Sequence, residues 1–71
     1  MNNHYSMLIE WSEDDDAYVV SFPEFVGAHT HGATYREAVK NGQAVLTLLI
    51  ETCEQEGNPL PMPARYQRAM A

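Results

Sequence analysis

Residues 21–38 read Ser21-Phe22-Pro23-Glu24-Phe25-Val26-Gly27-Ala28-His29-Thr30-His31-Gly32-Ala33-Thr34-Tyr35-Arg36-Glu37-Ala38. Proline and glycine divide this segment into a strand end, a turn, a short strand, a second turn and the start of a helix. Pro23 has no N–H for a strand ladder, so it ends the strand before it. Gly27 permits a sharp reversal, after which Ala28–His31 is predicted to form a short strand.

The helix that follows has recognisable ends. Thr34-x-x-Glu37 is a capping box, in which the Thr34 hydroxyl accepts from the Glu37 N–H and the Glu37 carboxylate reaches back to the Thr34 N–H. Gly57 is placed to end the helix in the left-handed conformation. Between them one apolar stripe is formed by Tyr35, Ala38, Val39, Gly42, Val45, Leu46, Leu49, Ile50 and Cys53. Because glycine weakens a helix interior by about 1 kcal/mol, Gly42 indicates a close approach of the helix to the sheet.

Two further strands precede this segment. Tyr5–Trp11 alternates, with one face formed by Tyr5, Met7, Ile9 and Trp11. Ala17–Phe22 is rich in β-branched and aromatic residues, which favour strands. The polar turn Ser12–Asp16 between them is short, so the two strands are predicted to pair as an antiparallel hairpin.

The C-terminal part is rich in proline. Asn58–Pro63 is predicted to be extended, because each residue before proline avoids the helical region, and it is placed as a short edge strand. For Ala64–Ala71 a helical turn and a frayed tail both remain open. The fold class is therefore α+β, in the order β-β-β-α-β: an antiparallel three-stranded sheet plus a short edge strand, with one long helix packed on one face. Residues 1–71 form a single domain, with a core over 5–63 and a tail over 64–71.

Size and charge narrow the function classes. A chain of 71 residues buries only about 60 % of its unfolded surface, so we expect a homo-oligomer, a dimer or a tetramer. Ten acids against four bases give a net charge of −6. This balance disfavours direct nucleic-acid binding. It suits a basic protein partner, although it also suits simple solubility.

The cysteine count, the longest apolar run and the first residues indicate where the protein is located. Cys53 is the single cysteine, so no internal disulfide forms and a cytoplasmic location is expected. The apolar run Ala44–Ile50 is far shorter than the ~20 residues that span a bilayer. The first residues lack the charged and apolar regions of a secretion signal.

No residue pattern predicts an enzyme or a cofactor. His29-x-His31 places two rings on one strand face, but two ligands do not make a metal site, and His4 is remote in sequence. Asp14–Asp16 lacks the alternating ligands and the glycine of a calcium loop, so a solvated turn is predicted.

Nuclease and thiol chemistry are equally unsupported. Two-metal nuclease chemistry needs converging carboxylates, and Glu10 has no acidic counterpart in Leu60–Pro63. Cys53 lies on the apolar stripe, which predicts packing rather than reactivity.

A partner-binding surface is the remaining possibility. The second strand carries Ala17 and Val19 on one face and Tyr18, Val20 and Phe22 on the other, so one helix leaves an apolar sheet face uncovered. Leu48 lies about 100° from the centre of the helix stripe. Phe25 is either a core residue or a partner anchor. The candidate partner-binding residues are Asp14, Asp15, Asp16, Tyr18, Val20, Phe22, Glu24, Phe25 and Leu48.

The chain resembles the HicB-like antitoxins over about residues 5–63. The resemblance is carried by the strand pair, Phe22-Pro23-Glu24-Phe25-x-Gly27, the helix entry Thr30-x-Gly32-x-Thr34-x-x-Glu37-Ala38, and Leu60-Pro61-Met62-Pro63. It departs from the family at Ala28, where cysteine is frequent, and at Asp14–Asp16, where glycine is more usual.

The resemblance implies a partial ribonuclease-H-like sheet without catalysis. It also implies a partner, the small basic toxin HicA, which cleaves messenger RNA. Proteins of this family cover the catalytic histidine and the RNA-binding surface of that toxin. Many relatives add a C-terminal DNA-binding module for autorepression. This sequence stops at Ala71 without room for such a module, so autorepression by this chain is not expected. The alternative is a stand-alone homo-oligomeric domain with a regulatory or ligand-binding role and no toxin.

Overall fold

The computed structural model describes residues 4–66. Three strands precede one helix: β1 (Leu8–Ser12), β2 (Ala17–Ser21), β3 (His29–Gly32) and α1 (Tyr35–Gln55). The strands form one antiparallel sheet in the order β1-β2-β3, so β2 is central. The predicted α+β class and the order β-β-β-α are confirmed, and the strand ends differ from the predicted ones by at most three residues.

The β1–β2 hairpin closes through an acidic turn. Ser12 pairs with Ala17, and the Asp16 N–H donates to the Glu13 carbonyl at 3.3 Å. Asp16 has a φ of 51°, a left-handed conformation that aspartate tolerates better than most residues. Asp16 thereby takes the conformation that a glycine, more usual in this turn, would otherwise supply.

The start of α1 is capped nearly as the sequence predicts. The Glu37 N–H donates to the Thr34 hydroxyl at 3.1 Å, which confirms Thr34 as the N-cap. The Glu37 carboxylate, however, accepts from the Ala33 N–H at 3.4 Å rather than from Thr34. The prediction of the reciprocal bond was therefore wrong by one residue.

Replacing Thr34 by alanine tests this cap. We expect the free energy of unfolding to fall by about 1 kcal/mol, because the Glu37 N–H loses its acceptor. For a domain of this size this lowers the melting temperature by about 4–8 °C. Thr52→Ala, at an exposed position inside the same helix, is the control, and an equal loss in both variants would contradict the assignment.

The C-terminus of α1 forms a complete Schellman motif. The Asn58 N–H donates to the Cys53 carbonyl at 3.0 Å and the Gly57 N–H donates to the Glu54 carbonyl at 3.2 Å. Gly57 has a φ of 72°. The predicted left-handed end of the helix is confirmed.

The core lies between α1 and one face of the sheet. Its buried residues are Val20, Phe22, Ala38, Leu46 and Ile50. A Cβ added at Gly42 would lie 2.8 Å from the Met7 Sδ and 3.1 Å from the Val20 Cγ1. This confirms that the helix approaches the sheet closely at Gly42.

The covered face is the one that carries Tyr18, Val20 and Phe22. Val20 is 0 % exposed and Phe22 is 2 % exposed, so neither can contact a partner in this fold, and we remove both from the candidate surface. Both faces of β2 are apolar, which is why its alternation did not indicate the side on which the helix packs. The helix covers the face with the larger side chains, which buries more apolar area.

The C-terminal segment, defined as residues 58–66, forms no hydrogen-bonded strand. Its prolines at 59, 61 and 63 lack the N–H groups that a ladder requires. The expected short edge strand is therefore replaced by a segment without regular secondary structure, to which the side chains of Tyr5 and Glu24 are hydrogen-bonded. Of the expected tail, Ala64–Tyr66 is not helical, and residues 67–71 lie outside the described residues.

Candidate partner-binding surface

The face of the sheet opposite α1 is named here the open face. The strand register arranges the side chains of this face in three adjacent rows that run across the strands. The rows consist of Leu8, Ser21 and His29, of Glu10, Val19 and His31, and of Ser12 and Ala17. Leu8 is 49 % exposed and Val19 is half-buried. This face is therefore a mixture of apolar and polar groups, not the wholly apolar surface that the sequence suggested.

An acidic turn borders the open face. Glu13, Asp14, Asp15 and Asp16 are consecutive and exposed. Asp15 holds the turn, because its carboxylate accepts from the Ser12 hydroxyl at 2.9 Å while its N–H donates to the Ser12 Oγ at 3.3 Å. Of the described bases, Arg36 and Lys40 lie on α1 and Arg65 lies in the C-terminal segment. Negative charge is thus concentrated at this end of the sheet.

A cleft of about 290 Å³ opens on the same side of the sheet. Its lining residues are Asp15, Ala17, Val19, His29, Thr30 and His31. The His29 ring is oriented by a 3.3 Å contact between its Nδ1 and the Gly27 carbonyl. The cleft thus has a carboxylate at one end, a small apolar floor and two imidazoles on the β3 side.

The histidines and the cysteine of residues 4–66 take part in no metal-binding cluster. Over this range no three His, Cys, Asp or Glu side chains come together as a metal-binding group. His29 and His31 share a face as predicted. Cys53 is half-buried on the apolar side of α1. Within the same range no helix combines the length and the apolar character needed to cross a bilayer.

The Glu24 side chain is hydrogen-bonded to two segments that are distant in sequence. Glu24, Ser6 and Ala64 together are named here the Glu24 latch. Its carboxylate accepts from the Ser6 N–H at 3.1 and 3.2 Å, from the Ser6 hydroxyl at 3.1 Å and from the Ala64 N–H at 2.7 Å. Burial alone would raise the pKa of Glu24, but the bonds from Ala64 and Ser6 outweigh it and hold that pKa below its ordinary value. The latch joins the chain before β1 to the C-terminal segment.

Tyr5 and Phe25 support the latch. The Tyr5 hydroxyl donates to the Pro61 carbonyl at 2.7 Å, and the two rings meet edge to face with centroids 5.2 Å apart. Phe25 is half-buried and packs against the core. Of the two readings left open for Phe25, packing is the one that these contacts support.

Tyr18 and Leu48 lie away from the open face. Tyr18 packs edge to face against both Trp11 and Tyr35, with centroids 5.1 and 5.7 Å apart. Leu48 is 62 % exposed on α1. The nine candidates therefore do not form one surface, and only Asp14, Asp15 and Asp16 border the open face.

Sequence reasoning missed the cleft and the role of Glu24. The sequence indicates His29 and His31 only as two ligands on one strand face, because strand register is needed to place Val19 beside them. Glu24 is one of the residues predicted to bind a partner, but its carboxylate accepts hydrogen bonds within the chain. The sequence contains one indication of this role. Glu24 directly follows Pro23, where the chain reverses direction beside two other segments.

Comparisons with known proteins agree with this fold. The family described as HicB_like antitoxin of bacterial toxin-antitoxin system matches residues 5–71. The UPF0150 protein ssr1765 of Synechocystis sp. (strain ATCC 27184 / PCC 6803 / Kazusa) is 34 % identical over 58 residues, which cover 82 % of this chain and 72 % of that protein. No solved structure matches the chain significantly.

Proposed function

Because the chain belongs to the HicB-like antitoxins of bacterial toxin–antitoxin systems, we propose that it neutralises a small, basic, mRNA-cleaving toxin of the HicA type by covering its active site. The observation that carries the proposal is the family match over residues 5–71, which includes every strand and the helix. The chain acts by binding and not by catalysis.

The distribution of charge supports a basic partner. The chain has a net charge of −6, and four of its ten acids occupy the exposed turn at residues 13–16. A toxin that binds RNA needs a basic surface to replace the counterions around phosphate. An acidic protein competes for that surface through charge complementarity, which accelerates association and selects the partner.

Location and assembly are parts of the same proposal. An antitoxin meets an mRNA-cleaving toxin in the cytoplasm, and the single cysteine suits a reducing compartment. We propose that the chain forms a dimer or a tetramer. The exposed apolar side chains of Leu48, Leu60 and Met62 support self-association. Sedimentation as a monomer at micromolar concentration would contradict this part alone.

Co-expression tests the toxin-neutralising function. A basic protein of the HicA type, sought in the reading frame next to the gene of this chain, is induced in a bacterial host with and without the chain, and growth is followed. We expect arrest with the toxin alone and restored growth with both, because the complex hides the RNA-cleaving site. A tagged chain is expected to co-purify with the toxin.

The control is a chain carrying the core substitution Val20→Asp, which places an unpaired charge at a fully buried position and prevents folding. It should leave the toxin lethal. The function is refuted if the toxin stays lethal beside the folded wild-type chain and the two proteins do not co-purify. A stable homo-oligomer that ignores the toxin would then favour the stand-alone domain.

A further inference from the structure

We propose that the cleft on the open face receives one lysine or arginine side chain of the toxin, with Asp15 as the partner of its charged group. The proposal rests on the proposed function and assigns the part of this chain that recognises the toxin. The observation behind it is the juxtaposition of a carboxylate, a small apolar floor and two imidazoles in one cleft.

The size of the cleft selects a side chain over a free ligand. Pockets for small molecules begin at roughly 300 Å³ and enclose most of the ligand. This cleft measures about 290 Å³, at the lower end of that range, and lies open on one side of a thin sheet, so it does not enclose a ligand. A single long side chain, delivered by a protein that covers the mouth, fits inside it.

The chemistry along the cleft matches a basic side chain. The stems of lysine and arginine pack on apolar surface while their charged ends stay at a polar group. Ala17 is 7 % exposed and, with half-buried Val19, offers a shallow apolar floor. Asp15 stands at one end, and its carboxylate has acceptor capacity beyond the bond from Ser12. A cation entering there gains charge-assisted hydrogen bonds.

Charge also selects a basic partner over a second copy of this chain. Glu10 lies on the open face in the row of Val19 and His31, and the acidic turn borders the same face. Two copies that met through this face would place these carboxylates near one another, and like charges at an interface cost several kcal/mol. A basic partner instead neutralises them.

The decisive variant is Val19→Lys, which fills the cleft with this chain's own ammonium group. The probe is the HicA-type protein of the co-expression test, with its catalytic histidine replaced, titrated by calorimetry at fixed salt. We expect affinity to fall at least about 30-fold, the size of an interface hot spot. Because Val19 lies on the central strand, circular dichroism checks that the variant folds. Asp15→Asn, which leaves the floor intact, should weaken binding about tenfold.

Matched controls carry the same changes elsewhere. Gln43→Lys places an ammonium group at an exposed position of α1, and Glu51→Gln removes an exposed acid there. Both should bind as the wild type does. If Val19→Lys and Asp15→Asn bind within about twofold of wild type, or if Gln43→Lys weakens binding as much as Val19→Lys does, the cleft proposal is overturned and the antitoxin function stands. If Val19→Lys only converts an oligomer into a monomer while toxin affinity is kept, the cleft proposal is likewise overturned. If the folded wild-type chain does not bind the toxin, both proposals fail.

Discussion

The Gly32→Ala variant is expected to lose most of its stability. Gly32 is buried at the end of β3, where α1 begins. A Cβ at this position would lie 2.8 Å from both the Ala38 Cα and the Glu37 carbonyl carbon. Both are backbone atoms of the first helical turn, which cannot rotate away as a side chain can. Overpacking ordinarily costs 1–3 kcal/mol, so we expect about 3 kcal/mol or more here.

Urea unfolding and thermal melting measure this loss. A decrease of about 3 kcal/mol corresponds to a fall in melting temperature of roughly 12–24 °C for a small domain. Gly57→Ala is the matched control, because Gly57 has a φ of 72° but no atom within 4 Å of an added Cβ. It should lose only about 1–2 kcal/mol, the cost of the left-handed conformation. If Gly57→Ala proves the more damaging of the two, the close contact is not what makes Gly32 necessary.

The second large effect is expected at Glu24. Glu24→Ala removes the acceptor for the Ser6 N–H, the Ser6 hydroxyl and the Ala64 N–H. Hydrogen bonds to charged groups contribute roughly 1.5–3 kcal/mol each. Because the site is partly exposed, water replaces some of them, and we expect a total loss of about 2–3 kcal/mol. We also expect faster trypsin cleavage after Arg65, since the C-terminal segment loses its anchor. Glu54→Gln, an exposed acid on α1, should change neither quantity.

The same latch predicts a pH dependence. The native pKa of Glu24 is lowered, so the unfolded chain binds more protons between the native pKa and the ordinary value of about 4.3. Stability from Glu24 is therefore complete above that ordinary value and is lost as the pH falls through the native pKa. The difference in unfolding free energy between the wild type and Glu24→Gln should shrink as the solution is acidified from pH 6. A difference that stays constant to pH 3 would contradict the latch.

Local features were readable from the sequence because they depend on neighbouring residues. Thr34, Gly57 and Pro23 act through the backbone within a few residues, and each does what its chemistry predicts. Gly42 was readable for a related reason. A glycine on the apolar stripe of a helix lacks the side chain that would hold the sheet away, and the contacts with Met7 and Val20 bear this out.

Arrangements that join distant segments were not readable in the same way. Both faces of β2 are apolar, and the sequence does not show which of them the helix covers. Val20 and Phe22, which the sequence predicts to bind a partner, lie on the covered face. The bond between Glu24 and Ala64 spans 40 residues, and no periodicity encodes it.

The order of strands and helix, the ends of the helix and the acidic character of the protein follow from the residues themselves, because propensity, capping and charge are local or additive. The covered side of the sheet, the latch at Glu24 and the cleft between Asp15 and His31 arise only when the chain is folded. Each depends on the meeting of residues from different segments, and such meetings are selected by the burial of the whole core.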